Sequence, residues 1–119
     1  MITIEHHHAG YLVCRASGKL SKADYDAAVP EIENALSLGD GPTRILIVLE
    51  DFRGWDIPGL WEELKFDVKH GQDFGRIAVV GDSRLEEWGT RLSRPFFGAE
   101  VRYFDLDDVE EARAWLSDG

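Results

Sequence analysis

Ile45-Leu46-Ile47-Val48-Leu49 is apolar at every position. A strand with one face toward water alternates apolar and polar side chains. An unbroken aliphatic run instead marks a strand covered on both faces, as in a parallel sheet packed with helices. Ile77-Ala78-Val79-Val80 repeats the pattern. Between the two runs, Ile57, Leu60, Trp61, Leu64 and Val68 recur at helical spacing, with Asp56 placed to cap and Pro58 tolerated in the first turn. After the second run, Ser83-Arg84-Leu85-Glu86 is a capping box, and Leu85, Trp88, Leu92 and Phe96 follow on one helical face.

Outward from this centre, Ile2–Glu5 and Tyr11–Ser17 alternate across an Ala9-Gly10 turn, which predicts a β-hairpin. Ser21-Lys22-Ala23-Asp24 has the form of an N-cap with an acid at the third helical position. Tyr25, Ala28, Val29, Ile32 and Leu36 continue the helix. Pro30 falls inside it and is expected to kink or split it. Gly39-Asp40-Gly41-Pro42 reads as a loop. Val101–Phe104 reads as a short strand, and Asp107 as the cap of a last helix carrying Val109, Ala112, Trp115 and Leu116 inward.

This order predicts an α/β domain over residues 1–119. It has a mainly parallel five-stranded sheet, an antiparallel amino-terminal edge strand and about four helices. Right-handed crossovers running in one direction gather their helices on one face of such a sheet. The aliphatic side chains on the second face then need cover from a crossing helix, the amino-terminal hairpin or a second subunit, and a two-fold homodimer is the simplest association.

Composition narrows the function. Thirteen Lys and Arg stand against 23 Asp and Glu, a net charge of −10. This argues against nucleic acid or an anionic membrane surface as partner. The single cysteine, Cys14, forms no internal disulfide and no cysteine zinc site, and its strand position reads as a buried structural thiol. No apolar run approaches the ~20 residues of a membrane span, and no signal sequence follows Met1. The expectation is a soluble cytoplasmic domain.

Several stretches taken in order resemble the SpoIIAA-like domains of the STAS type, relatives in shape of CRAL-TRIO lipid-binding domains, and in particular their small bacterial branch. They are Ser17-Gly18-Lys19-Leu20, Leu49-Glu50-Asp51-Phe52, Gly54-Trp55, Lys65-Phe66, Arg76-Ile77-Ala78-Val79-Val80-Gly81-Asp82, Val101-Arg102-Tyr103-Phe104 and Ala114-Trp115-Leu116. The resemblance implies a SpoIIAA-like β-α superhelix across the chain. In that family's anti-sigma-factor antagonists, a regulatory serine lies in an Asp-Ser-Ser-Gly-Leu stretch opening the helix after the third strand. The matching stretch here is Asp56-Ile57-Pro58-Gly59-Leu60. The helix-capping Asp56, Gly59 and Leu60 are kept, while Ile57 and Pro58 have no hydroxyl to phosphorylate.

The residues offer no clear catalytic set. No nucleophile elbow occurs, Ser83 is accounted for as a cap, and a hydrolase using His70 with a distant acid is the weakest reading. His6 and His8 would share a strand face but lack a matched third ligand, so no metal site and no cofactor are expected. Asp105-Leu106-Asp107-Asp108 fails the calcium-loop spacing. The richest stretch gathers Phe52, Trp55, Trp61, Lys65, Phe66 and His70, with Trp88 from the next helix. These residues suit either core packing or an aromatic-walled pocket for an apolar ligand, with Lys65 or His70 meeting a polar head. The functional expectation is a non-enzymatic module binding a small apolar molecule or a protein partner, with a phosphorylation-independent interaction domain as the alternative.

Overall fold

The computed structural model describes residues 1–7, 10–38, 43–56, 74–82, 88–89 and 99–118. Five strands form one sheet in the order β1-β2-β3-β4-β5: β1 (Ile2–His6), β2 (Leu12–Leu20), β3 (Thr43–Trp55), β4 (Phe74–Gly81) and β5 (Glu100–Asp105). β1 pairs antiparallel with β2, in register Ile4↔Cys14, and every other pairing is parallel. Helix α1 (Lys22–Leu38) connects β2 to β3. A 3₁₀ turn (Leu106–Asp108) leads into helix α2 (Val109–Ser117).

The two aliphatic runs sit side by side at the centre, with Ile45↔Ile77, Leu46↔Ala78, Ile47↔Val79 and Val48↔Val80 paired. Their alternate side chains feed two separate cores. On one face Ile45, Ile47, Leu49, Ile77 and Val79 join Leu12, Cys14 and Ala16 of β2 under Ile32 and Ala35 of α1. On the other face Leu46, Val48, Ala78 and Val80 join Tyr11 and Val13 under Ala112 and Leu116 of α2. The cover for the second face is therefore a helix of the same chain, and this face does not require a second subunit. Trp88, from the connection between β4 and β5, packs on the α1 face. That is where crossovers of one hand in one direction place it.

Ser21 caps α1 as expected. The Asp24 backbone N–H donates to Ser21 Oγ at 3.2 Å, and the Ser21 N–H donates to Asp24 Oδ2 at 3.0 Å. Pro30 does not split the helix, which runs unbroken through it. The proline lies on the exposed side, where water can take up the carbonyl its missing N–H leaves free. The last helix does not start at an Asp107 cap. The chain first takes the 3₁₀ turn, and Asp108, at the N-cap of α2, makes no side-chain capping bond. Glu110 and Glu111 in the first turn complement the helix dipole instead. Two α-helices are seen in full among the described residues, where four were expected. The helix expected after Asp56 lies outside the described residues, as does most of the one after Ser83; of the latter, Trp88 and Gly89 are helical.

α2 has no basic residue in its last turn, and the strands supply the missing charge. Arg44 Nη1 donates to the Leu116 carbonyl at 2.5 Å, and Arg76 Nη1 donates to the Trp115 carbonyl at 2.7 Å. The guanidiniums of Arg76 and Arg102 lie 5.0 and 5.6 Å from the centroid of the Trp115 ring. Arg113 of α2 donates to the Tyr11 hydroxyl at 2.7 Å. Leu116→Ala is expected to lower unfolding stability by about 2–5 kcal/mol in a urea titration, because its side chain is fully enclosed.

A second expectation concerns acid. The Ser21 backbone N–H holds the Asp24 carboxyl below its ordinary range, with further help from the Ser21 hydroxyl and the amino-terminal ammonium. A pKa lower in the folded chain than in the unfolded one gives stability that is full above the unfolded value and lost as pH falls through the folded one. Asp24→Asn should therefore flatten the stability-versus-pH curve below about pH 4, measured by urea titrations at several pH values.

Candidate functional site

β4 accompanies β3 as far as Val48↔Val80, whereas β2 continues along β3 to Leu20↔Trp55. In that extension the register slips twice. Ala16↔Leu49 is followed by Gly18↔Phe52 and then by Leu20↔Trp55, so two residues of β2 face three of β3 at each step. Each slip is a β-bulge that adds one residue to β3. The backbone absorbs the extra residues in left-handed conformations, at Asp51 (φ 52°) and Gly54 (φ 92°) on β3 and at Gly18 (φ 62°) on β2.

The bulges change the side-chain period from two to three. Leu49, Phe52 and Trp55 consequently all fall on the α1 face, beyond the end of the aliphatic core. Trp88 completes a trio of aromatic rings at the carboxyl end of β3. Phe52 and Trp55 are 5.2 Å apart between centroids, Phe52 and Trp88 5.7 Å, and Trp55 and Trp88 6.0 Å. All three contacts are edge-to-face, with interplanar angles of 82–84°. Phe52 is buried, and the two tryptophans are half-buried.

Two glycines let the Trp88 turn sit this close. A Cβ on Gly54 would lie 3.0 Å from Trp88 Cη2 and 3.1 Å from Cζ3. A Cβ on Gly89 would lie 2.5 Å from Tyr103 Cε1. The six-membered end of the Trp88 indole thus rests on Gly54, and its Nε1 lies toward the other end of the ring. That nitrogen is buried and finds no acceptor among the described residues. The Asp56 N–H donates to the Leu20 carbonyl at 2.8 Å, which ties off the strand pair beside the trio.

Of the site residues expected from sequence, Phe52, Trp55 and Trp88 come together. Trp61, Lys65, Phe66 and His70 lie outside the described residues, as do Gly59 and Leu60 of the former switch stretch. Sequence reading missed Gly18, Asp51, Gly54 and Gly89. The signal that could have found Asp51 and Gly54 is the Leu49-x-x-Phe52-x-x-Trp55 spacing around a glycine, a period that fits neither a regular strand nor a helix. Elsewhere, Cys14 is buried and desolvation pushes its thiol up to about 12, so it carries no thiolate at neutral pH. His6 is exposed, His7 stacks on Tyr11 at 4.6 Å, and His8 lies outside the described residues. Among the described residues no group of three His, Cys, Asp or Glu could hold a metal ion, and no helix is long and apolar enough to cross a membrane.

The SpoIIAA-like family profile matches residues 11–117. The chain belongs to the SpoIIAA-like family. The crystal structure of an uncharacterized DUF3478-family protein with a SpoIIAA-like fold, from Shewanella loihica PV-4, is 35% identical. It aligns over 98% of this chain and 92% of its own with a TM-score of 0.71. No curated protein matches the chain. Within this SpoIIAA-like sheet, the bulged end of β3 is the feature that gathers aromatic side chains at one edge.

Gly54→Ala should cost more than 1 kcal/mol, since it forces a Cβ into both a left-handed backbone and the Trp88 ring. Asp51→Gly, at the other left-handed position of β3, should be neutral or stabilising. Urea unfolding followed by tryptophan fluorescence separates the two.

Proposed function

We propose that this SpoIIAA-like domain is a non-enzymatic binding module that takes a small apolar, lipid-like molecule at the Phe52–Trp55–Trp88 cluster. The observation that carries the reading is the pair of bulges. They leave the regular strand pattern to turn Phe52 and Trp55 onto one face at the carboxyl end of β3, beyond the aliphatic core, where Trp88 meets both edge-to-face. Apolar walls with a few polar groups are what small-molecule sites are made of. Trp61, Lys65, Phe66 and His70 follow in the sequence directly after this edge. They extend the same chemistry, with Lys65 or His70 meeting a polar head. The module works in the cytoplasm and without a phosphate switch after β3, because Ile57 and Pro58 stand where the antagonists of the family carry serines.

Contact with a protein partner is the second reading. It is favoured by Tyr103 and Leu106, exposed large side chains on β5 and the turn after it.

Titration with N-phenyl-1-naphthylamine, a neutral apolar fluorophore, tests the first reading. Saturable enhancement at one probe per chain is expected, weakened at least fivefold in Trp55→Leu, which keeps an apolar side chain against Phe52. A linear, unsaturable response in the wild-type chain would overturn it.

A further inference from the structure

The Trp88 indole is half-buried, and its Nε1 is a buried donor with no acceptor among the described residues. Such a group costs free energy on burial, because water that would have bonded to it is gone and no acceptor among the described residues has replaced it. The two rings that meet it edge-to-face, Phe52 and Trp55, offer π faces, which are weak acceptors compared with an oxygen. Nor does the β3 backbone at Gly54 serve, since it is the six-membered end of the indole that rests there. Close packing on Gly54 and of Gly89 on Tyr103 fixes the position of this turn, so the donor is held in place next to the apolar rings rather than free to swing out to solvent.

We infer that the molecule taken at the aromatic cluster carries an acceptor oxygen, as in a ketone, ester or carboxylate, that accepts a hydrogen bond from Trp88 Nε1–H. The inference rests on the reading of the cluster as a ligand site, and it adds a chemical class. A pure hydrocarbon leaves the donor unsatisfied, and an alkylammonium brings a second donor to it. An acyl compound places an oxygen next to an apolar body, which matches the Trp88 N–H set beside the apolar rings.

Three naphthalene probes of similar shape test it: 2-acetylnaphthalene, 2-naphthoate and 2-ethylnaphthalene. The first two carry an acceptor and the third has none. The chain has four tryptophans, so ¹⁵N–¹H spectra of the indole groups are simple, and Trp88→Phe assigns the Trp88 signal by its loss. The better of the two acceptor probes should bind roughly three- to tenfold tighter than 2-ethylnaphthalene and should move the Trp88 indole proton downfield. Whether that probe is the ketone or the carboxylate shows whether the acceptor is neutral or charged. In Trp88→Phe the preference should vanish while 2-ethylnaphthalene still binds. Equal affinity of all three for the wild-type chain, with the Trp88 indole proton unmoved, would overturn the inference and leave the apolar site standing. Binding of none of them would remove the site itself. The wild-type indole shift needs no variant, so poor folding of Trp88→Phe would not spoil the test.

Discussion

The central strands are aliphatic at consecutive positions, so both faces of the sheet have to be covered. The strands lie in chain order, and crossovers of one hand running in one direction all land on one face. The opposite face then has to be covered by an element that is not a crossover. α2, which follows the last strand, is that element, and Ala112 and Leu116 are fully enclosed by it against the sheet. Its docking is electrostatic as well as apolar. Arg44 and Arg76 come from adjacent strands, where like charges repel. Both donate to carbonyls at the carboxyl end of α2, the negative end of the helix dipole, and this offsets the repulsion. The helix and the two arginines therefore depend on each other.

The same sheet explains why the aromatic trio stands where it does. Once β4 stops following β3, β2 is the one strand among the described residues that pairs with the extended part of β3, and a regular two-residue period is no longer imposed from both sides. Two bulges enter there. Each rotates the next side chain back onto the α1 face, so Phe52 and Trp55 point the same way as Leu49 although they are three and six residues beyond it. The left-handed backbone at Asp51 and Gly54 is the local cost of that rotation. Glycine at 54 serves twice, admitting the backbone conformation and clearing space for Trp88.

How much of this was legible in the sequence follows from which interactions are local. The hairpin, the Ser21–Asp24 box and the aliphatic strands rest on residues near in sequence or on a single period, and they could be read directly. The apolar run marks β3 only over Ile45–Leu49, whereas the strand continues through Glu50, Asp51 and Arg53 to Trp55. Their strand membership depends on pairing with β2, more than 30 residues away. The cover of the second face could be narrowed to three possibilities but not chosen, since Arg44, Arg76 and Arg113 bind α2 over separations of 72, 39 and 102 residues. Of the two outcomes expected of Pro30, a split does not occur: a helix held by tertiary packing of Ala28, Ile32 and Ala35 continues through a proline on its exposed side. Phe52, Trp55 and Trp88 were legible as aromatic residues of interest, but their edge-to-face arrangement was not, because it depends on the bulges that turn Phe52 and Trp55 together and on the packing of a distant segment that brings Trp88.

The bulged end of β3 is the proposed binding surface of this SpoIIAA-like domain. Intermolecular nuclear Overhauser effects between a bound apolar probe and the aromatic protons of the chain test it most directly. Contacts are expected to the rings of Phe52, Trp55 and Trp88, and none to Phe104 and Trp115 on the opposite face. Contacts confined to Phe104 and Trp115 would contradict it.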